Sequence, residues 1–160
     1  MGSGKSTLGL SLAKLWHCEF IDLDQYIESK VQSSLETIFE RQGESVFREM
    51  EQEALTELLD KPSKCIIALG GGTPCFGDNM KAIKASARSV YLKLSSRELS
   101  RRLSISTNPR PLIRGKSITE LQEYITQEIV KREKYYNQAD LIIESDSIRT
   151  NDLITFLSAS

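Results

Sequence analysis

The stretch Met1–Thr7, MGSGKST, carries the most informative pattern in this chain. Gly4, Lys5 and Ser6 match the end of the phosphate-binding pattern G-x-x-x-x-G-K-[ST], whose first glycine would fall two residues before Met1. In such a loop the backbone amides point at phosphate oxygens, the lysine reaches the terminal phosphates, and the hydroxyl ligates Mg²⁺. The predicted nucleotide-binding residues in this stretch are Gly2, Ser3, Gly4, Lys5, Ser6 and Thr7.

A flexible tail of glycine and serine is the alternative interpretation of this stretch. The residues that follow argue against it, because Leu8–Trp16 continues as an amphipathic helix with Leu8, Leu12 and Leu15 on one face. The positive N-terminal end of such a helix strengthens a phosphate site. We therefore favour the phosphate loop.

A phosphate loop normally follows a central strand of its sheet, and the sequence before Gly2 contains only Met1. Burying about five large apolar side chains contributes on the order of 10 kcal/mol, against a total domain stability of roughly 5–15 kcal/mol. We therefore interpret Met1 as an internal methionine of the loop. We expect this chain to be less stable than one extended upstream by about ten residues.

Composition limits the classes of protein to consider. The 160 residues are 39% hydrophobic and 27% charged, which predicts one folded domain over residues 1–160. A formal net charge of −1 gives no electrostatic case for nucleic-acid binding, and no apolar run approaches the roughly 18 residues of a membrane span. The three scattered cysteines predict free thiols in a reducing cytoplasm. Nothing in the sequence demands more than a monomer.

Short apolar runs alternate with longer helical patterns, which predicts an α/β fold with right-handed crossovers. Two of the runs, Cys65–Leu69 and Leu141–Ile143, are nearly continuous, as in parallel strands covered on both faces. Ser95 with Glu98 predicts a capping box. The predicted strands are Cys18–Asp24, Lys64–Gly72, Arg88–Leu94 and Asp140–Ser145. The predicted helices are Ser6–Trp16, Ser45–Leu59, Ser95–Leu103, Ile118–Tyr136 and one from Thr150 to the end.

One stretch late in the chain, Ser104–Ser117, has little helical character. It contains two prolines and three positive charges, so we interpret it as a functional loop or lid. Arg110 stands between the two prolines, which stiffen the backbone around it.

Acidic and basic residues at predicted element ends are the candidates for a second substrate. Asp22 and Asp24 would point to the same side of an extended strand, where they could serve Mg²⁺ and a substrate hydroxyl; a solvated turn with a helix cap is equally compatible. Arg48 and Glu51 share a helix face, and Arg132 follows Glu128 by one turn. Taken singly, each of these arginines is better explained as part of a surface ion pair.

The run Gly70–Gly72 follows an apolar strand. Three consecutive glycines are entropically costly, and they are useful where a ligand or another backbone must come very close. A loose turn is the alternative interpretation.

In this order, the motifs resemble the shikimate kinase family of phosphate-loop folds, and the resemblance covers essentially the whole chain. The matching features are GSGKST, the acidic segment FIDLDQYIE at residues 20–28, FRxxE at residues 47–51, Gly70–Gly72, Arg110-Pro111 and Lys131-Arg132. GSGKST and GGG are each common, whereas the ordered set is specific. The resemblance implies a three-layer α/β/α phosphate-loop kinase fold with a parallel sheet, whose first strand this chain lacks.

The resemblance also implies phosphoryl transfer from ATP to the 3-hydroxyl of shikimate, on the route to chorismate and the aromatic amino acids. It implies that Lys5 holds the transferring phosphate, that Asp24 orients the attacking hydroxyl or acts as its base, and that Arg110 closes over the phosphates. The other implied roles are Mg²⁺ binding by Ser6 and Asp22, a place near the adenine for Arg102, and shikimate binding by Asp24, Arg48, Glu51, Gly70, Gly71, Gly72 and Arg132.

Two other classes of protein share part of this pattern. A gluconate kinase would share GSGKST and the helix–strand alternation, but the FRxxE, GGG and Arg-Pro set argues against it. A truncated, non-catalytic remnant that binds nucleotide or shikimate without transfer is supported by the missing first strand.

Overall fold

The computed structural model describes residues 2–105 and 116–158, in which helices alternate with short parallel strands. The helices are α1 (Lys5–Trp16), α2 (Leu23–Val31), α3 (Leu35–Leu59), α4 (Asn79–Ser86), α5 (Ser96–Ser104), α6 (Ile118–Tyr136) and α7 (Thr150–Ser158). The strands are β1 (Glu19–Asp22), β2 (Cys65–Ala68), β3 (Val90–Lys93) and β4 (Leu141–Glu144), and a 3₁₀ turn spans Thr73–Cys75. All four predicted strands and all five predicted helices are present, so the predicted α/β alternation is confirmed.

The helices begin where small polar side chains cap their free amides. Ser34 and Ser117 each accept a hydrogen bond from the backbone amide three residues on, and the Glu120 carboxylate accepts one from the Ser117 amide, which completes a capping box. The box predicted at Ser95 is only half formed. Ser95 accepts from the Glu98 amide, but the Ser95 amide donates to Asp146 and the Glu98 carboxylate binds two arginines instead.

Three helical segments lay outside the predictions. α2 begins directly after Asp22, α4 follows the glycine loop, and α3 begins at Leu35, ten residues before the predicted start at Ser45. Within α3, Gly43 has φ 84° and ψ 173°, a conformation open almost only to glycine, and the helix kinks there. Because glycine is unfavourable inside a helix, the sequence pattern did not indicate that the helix continues across Gly43.

The strands form two parallel pairs. Glu19 of β1 stands opposite Cys65 of β2, and Val90 of β3 stands opposite Leu141 of β4. Among the described residues no strand joins the two pairs, and an apolar cavity of about 910 Å³ lies between β2 and β3. α1 forms part of the cavity wall and also packs on β1 and β2.

Apolar side chains cover the two sheets in separate clusters. One packs α2 and α3 against β1, with Leu23 and Ile38 almost fully buried, and another packs α5 against α6 through Leu99 and Leu121. Gly9 lets α1 approach β1, because a Cβ there would lie 2.7 Å from the Phe20 ring. The prediction that β4 is covered on both faces is wrong, because Ile142 is 41% exposed; on α1, Leu12 is buried but Leu15 is 53% exposed.

Candidate active site

The loop before α1 has the backbone shape that a phosphate loop requires. Gly2 and Gly4 have φ of 71° and 86°, which L side chains rarely adopt, and the Gly4 carbonyl accepts the first helical bond from the Leu8 amide at 2.9 Å. Thr7 is exposed in the first turn of α1. The backbone amides of the first turn, which have no partner within the helix, therefore lie at the N-terminal end of α1, where a bound anion is stabilised.

Lys5, Ser6 and Asp22 meet beside this loop. Ser6 Oγ donates to Asp22 Oδ2 at 2.6 Å, and Lys5 Nζ lies 3.8 Å from the same oxygen. Hydroxyl and carboxylate oxygens are the ligand type that Mg²⁺ prefers, and Mg²⁺ commonly takes only one or two protein ligands beside substrate phosphates and water. In the described part of the chain no cluster of three or more His, Cys, Asp or Glu side chains could hold a metal, which is compatible with such a sparse site.

The two aspartates are arranged differently from the prediction of an extended strand. β1 ends at Asp22, which caps α2 by accepting from the Asp24 amide at 3.2 Å, and Asp24 lies in the first turn of that helix. The helical step still brings Asp24 toward the glycine loop, since a Cβ on Gly70 would lie 3.3 Å from Asp24 Oδ1.

Arg102 reaches from α5 to the phosphate loop. Its Nη1 donates to the Ser3 carbonyl at 3.4 Å, its Nη2 donates to the Asp146 carbonyl at 2.9 Å, and its Nε donates to Glu98 at 2.7 Å. Hydrogen bonds from Arg101 and Arg102 lower the pKa of Glu98 to about 2. Glu98 therefore stays ionised and holds Arg102 beside the loop.

Arg48 of α3 lies between two carboxylates. It forms ion pairs with Glu51, which is 1% exposed, and with Glu44 at 2.9 Å on the solvent side. Burial opposes the charge of Arg48, but the hydrogen bond and charge of Glu51, supported by Glu44, outweigh it and raise the pKa of the guanidinium. Because Glu51 is buried, its pair with Arg48 differs from the surface pair that sequence spacing favours.

The Gly70–Gly72 loop passes so close to these groups that side chains would not fit. A Cβ on Gly70 would lie 2.9 Å from Glu51 Oε1, and one on Gly72 would lie 2.5 Å from Arg48 Nη1. The glycine run is therefore a close approach of backbone to a charged cluster, as expected for a site where a ligand meets backbone amides.

Arg132 of α6 forms the other side of the site. It is half-buried and forms an ion pair with Glu128. Burial opposes the charge of Arg132, while Tyr136 and Glu128 outweigh it and raise its pKa. Burial likewise raises the pKa of the Cys75 thiol, and the positive charges of Arg132 and Arg48 both act on it in the opposite direction. Arg48 lies against Gly72, and Arg132 lines the same cavity as Gly70 and Gly71, so both arginines border the glycine loop.

Three contributors were missed by the sequence analysis: Glu44, Thr73 and Tyr136. Tyr136 stands one turn after Arg132 and Glu44 one turn before Arg48, so helical spacing offered a signal for both. For Thr73, the only signal in the sequence was its position directly after the glycine run. Arg110 and the central part of the predicted lid, residues 106–115, lie outside the described residues.

A glycine-rich loop at a helix start, an adjoining Ser–Asp pair and two arginines beside one loop suit a phosphate-loop kinase that acts on a small anionic acceptor. The shikimate kinase family model matches residues 1–158, and the chain belongs to that family. It is thus a phosphotransferase that uses an alcohol group as acceptor, and the predicted three-layer α/β/α fold is confirmed.

Individual relatives agree with this placement. The chain is 41% identical to shikimate kinase from Parabacteroides distasonis, over 94% of this chain and 86% of the relative, and 40% identical to that from Azobacteroides pseudotrichonymphae, over 96% and 91%. The solved structure of shikimate kinase from Bacteroides thetaiotaomicron superimposes with a TM-score of 0.89 at 35% identity, covering 99% of this chain and 90% of that one. Shikimate kinase from Acinetobacter baumannii in complex with shikimate gives 0.87 at 30% identity, covering 99% and 86%.

Within the described ranges, no helix combines the length and apolar character that crossing a membrane requires. Cys18, Cys65 and Cys75 are all free thiols.

Proposed function

We propose that this chain transfers the terminal phosphate of ATP to the 3-hydroxyl of shikimate. The observation that carries the proposal is that Arg48 and Arg132 both border the Gly70–Gly72 loop, with Asp24 beside the same loop. Two guanidinium groups suit a carboxylate, and a carboxylate acceptor suits a hydroxyl, so the pair matches a hydroxylated carboxylic acid. Family membership supports the same substrate.

On the nucleotide side, residues 2–7 bind the phosphates through backbone amides and the Lys5 ammonium. Ser6 and Asp22 are the proposed protein ligands of Mg²⁺, which neutralises phosphate charge when bound. Arg102 lies between the Ser3 carbonyl and the Asp146 carbonyl, and we assign it to the adenine side of the nucleotide. Arg110 is assigned to the phosphates on the resemblance alone.

The transfer itself needs little covalent chemistry from the protein. The acceptor oxygen forms a bond to the γ-phosphorus, the bond from that phosphorus to the β–γ bridging oxygen breaks, and the hydroxyl proton leaves. Asp24 is the proposed hydrogen-bond acceptor for that hydroxyl, and it either orients the oxygen or takes the proton. Lys5 stabilises the charge that develops on the transferring phosphate.

On the acceptor side, Arg48 and Arg132 hold the carboxylate of shikimate, and the backbone of Gly71 and Gly72 approaches the shikimate ring. Glu51 keeps Arg48 charged and fixes its orientation from the buried side. Because Glu51 and Glu128 each neutralise one arginine, the two guanidinium groups avoid their full mutual repulsion.

The test is ADP formation by this chain with Mg-ATP, measured with shikimate, with gluconate and with neither. We expect ADP to form only with shikimate. Formation with gluconate instead would reassign the acceptor. If no acceptor supports ADP formation, isothermal titration with shikimate separates a binding protein from a chain that has no acceptor site.

A further inference from the structure

The loop Gly70–Cys75 is fixed to α3 by a buried hydroxyl. Thr73, which is fully buried, donates from Oγ1 to Glu51 Oε1 at 2.6 Å, and the other Glu51 oxygen binds Arg48. The buried Asn79 amide in turn donates to the Thr73 carbonyl at 2.8 Å. The Glu51 carboxylate therefore connects Arg48 to the loop, because one of its oxygens binds Arg48 and the other accepts the hydrogen bond from Thr73.

The same loop is fixed to α6 by a second hydroxyl. Tyr136 donates from Oη to the Gly71 carbonyl at 2.6 Å, one helical turn after Arg132. Its ring packs on Tyr91 of β3, with centroids 4.9 Å apart, and it interacts with the Arg132 guanidinium. Nothing in the chemistry of phosphoryl transfer uses either hydroxyl.

The two hydroxyls therefore connect one loop to both helices that carry an arginine. A carboxylate is held by two guanidinium groups only when their separation matches its size, so a misplacement of about 1 Å weakens binding markedly. We propose that Thr73 and Tyr136 are positioning residues that set the separation of Arg48 and Arg132 for the acceptor carboxylate. The inference rests on the proposed function of these arginines.

The first variant to make is Tyr136→Phe, which keeps the ring contact with Tyr91 and removes only the hydroxyl. We expect the KM for shikimate to rise about fivefold to tenfold, as for loss of one hydrogen bond that organises a charged site. The KM for ATP should stay within about twofold, because the nucleotide loop is not attached to Tyr136. The neighbouring Tyr135→Phe is the matched control, and its shikimate KM should not change.

The second variant is Thr73→Val, which leaves a buried Glu51 oxygen without its donor. We expect a similar rise in shikimate KM together with a lower Tm. Thr73→Ser retains the hydroxyl and should restore the shikimate KM even if the Tm recovers only in part. A purely structural role for Thr73 would lower Tm in both variants and leave shikimate KM unchanged.

Arg48→Ala separates failure of the inference from failure of the proposed site. If Arg48→Ala raises shikimate KM while Tyr136→Phe and Thr73→Val both leave it within about twofold, the positioning role is wrong and the site stands. If Arg48→Ala also has no effect, the acceptor site itself is misplaced. If Thr73→Val does not fold, Tyr136→Phe decides the outcome by itself.

Discussion

At the scale of single residues, the site contains two separate groups of charged side chains, and the proposed function gives each group a different role. Arg48 is enclosed by Glu51 and Glu44, whereas Lys5 lies beside Ser6 and Asp22 at the start of α1. The first group meets the acceptor and the second meets the phosphates in the function proposed above. Their kinetic signatures should therefore differ.

We expect Arg48→Ala to raise the KM for shikimate by roughly 10- to 100-fold with a smaller effect on kcat, since it removes a charged contact to the acceptor. We expect Lys5→Ala to lower kcat at least about a hundredfold, since it removes charge stabilisation in the transition state. Initial-rate kinetics with each substrate varied in turn measures both. An unchanged shikimate KM in Arg48→Ala would remove this residue from the acceptor site.

Sequence spacing paired Arg48 with Glu51 and Arg132 with Glu128, and both pairs are present. It could not show that Glu51 is buried, because an i, i+3 pair looks the same on an exposed and on a covered helix face. Thr73 escaped prediction for a related reason: its partner Glu51 lies on another element, 22 residues away along the chain.

At the scale of elements, α5 presents a carboxylate that two arginines hold ionised. The pKa of Glu98 is about 2, below its ordinary value of 4.5, because Arg101 and Arg102 donate hydrogen bonds to it. Its ionised form stabilises the folded chain above pH 4.5, and this contribution is lost as the pH falls from about 4.5 toward 2.

We therefore expect Tm to fall more steeply over that acid range in the native chain than in Glu98→Gln. Thermal unfolding followed by circular dichroism from pH 6 to pH 2 would measure the difference, which added salt should reduce because the pairs are at the surface. Parallel Tm curves for the two proteins would show that Glu98 has no such role.

The kink of α3 gives a second expectation at this scale. A Cβ on Gly43 would meet no atom within 4 Å, so the only penalty of Gly43→Ala is the backbone conformation at φ 84° and ψ 173°. We expect a loss of about 1–3 kcal/mol in the free energy of unfolding, measured by urea denaturation. Gln42→Ala, at an exposed position of the same helix, is the control and should be nearly neutral. Equal stability of both variants would mean that the helix straightens without cost.

Periodic segments were predictable at the scale of elements, since α6 runs over the predicted residues Ile118–Tyr136 and each strand lies inside its predicted range. Asp22 shows where prediction from periodic patterns fails. A carboxylate that ends a strand and caps the next helix leaves no intervening loop for the sequence to reveal, and α2 was missed for that reason.

At the scale of the whole molecule, an apolar cavity separates the two strand pairs, and unfilled apolar space lowers stability. The cavity of about 910 Å³ is bounded by β2 and β3, and its lining includes Leu8, Ile66 and Leu92. The predicted strands and helices follow one another in the predicted order, with α2 and α4 in addition, but a sequence pattern gives no distances and so could not predict the width of this cavity.

We expect a chain carrying about ten added residues before Met1, with an apolar strand of about five among them, to unfold at a higher temperature than the 160-residue chain. The matched control carries the same extension with two prolines in the strand, which cannot complete the ladder. Differential scanning calorimetry gives the comparison. Identical Tm values for all three chains would show that the space between β2 and β3 contributes nothing to stability.

The strand edges that stay unpaired among the described residues also bear on contacts between molecules. Among the described residues, β2 pairs only with β1 and β3 only with β4, so each pair keeps a row of backbone amides and carbonyls able to accept another strand. A net charge of −1 provides almost no long-range repulsion between copies. We therefore expect light scattering by a concentrated solution to rise with protein concentration and to change little with salt, because strand edges rather than surface charge govern contacts between copies.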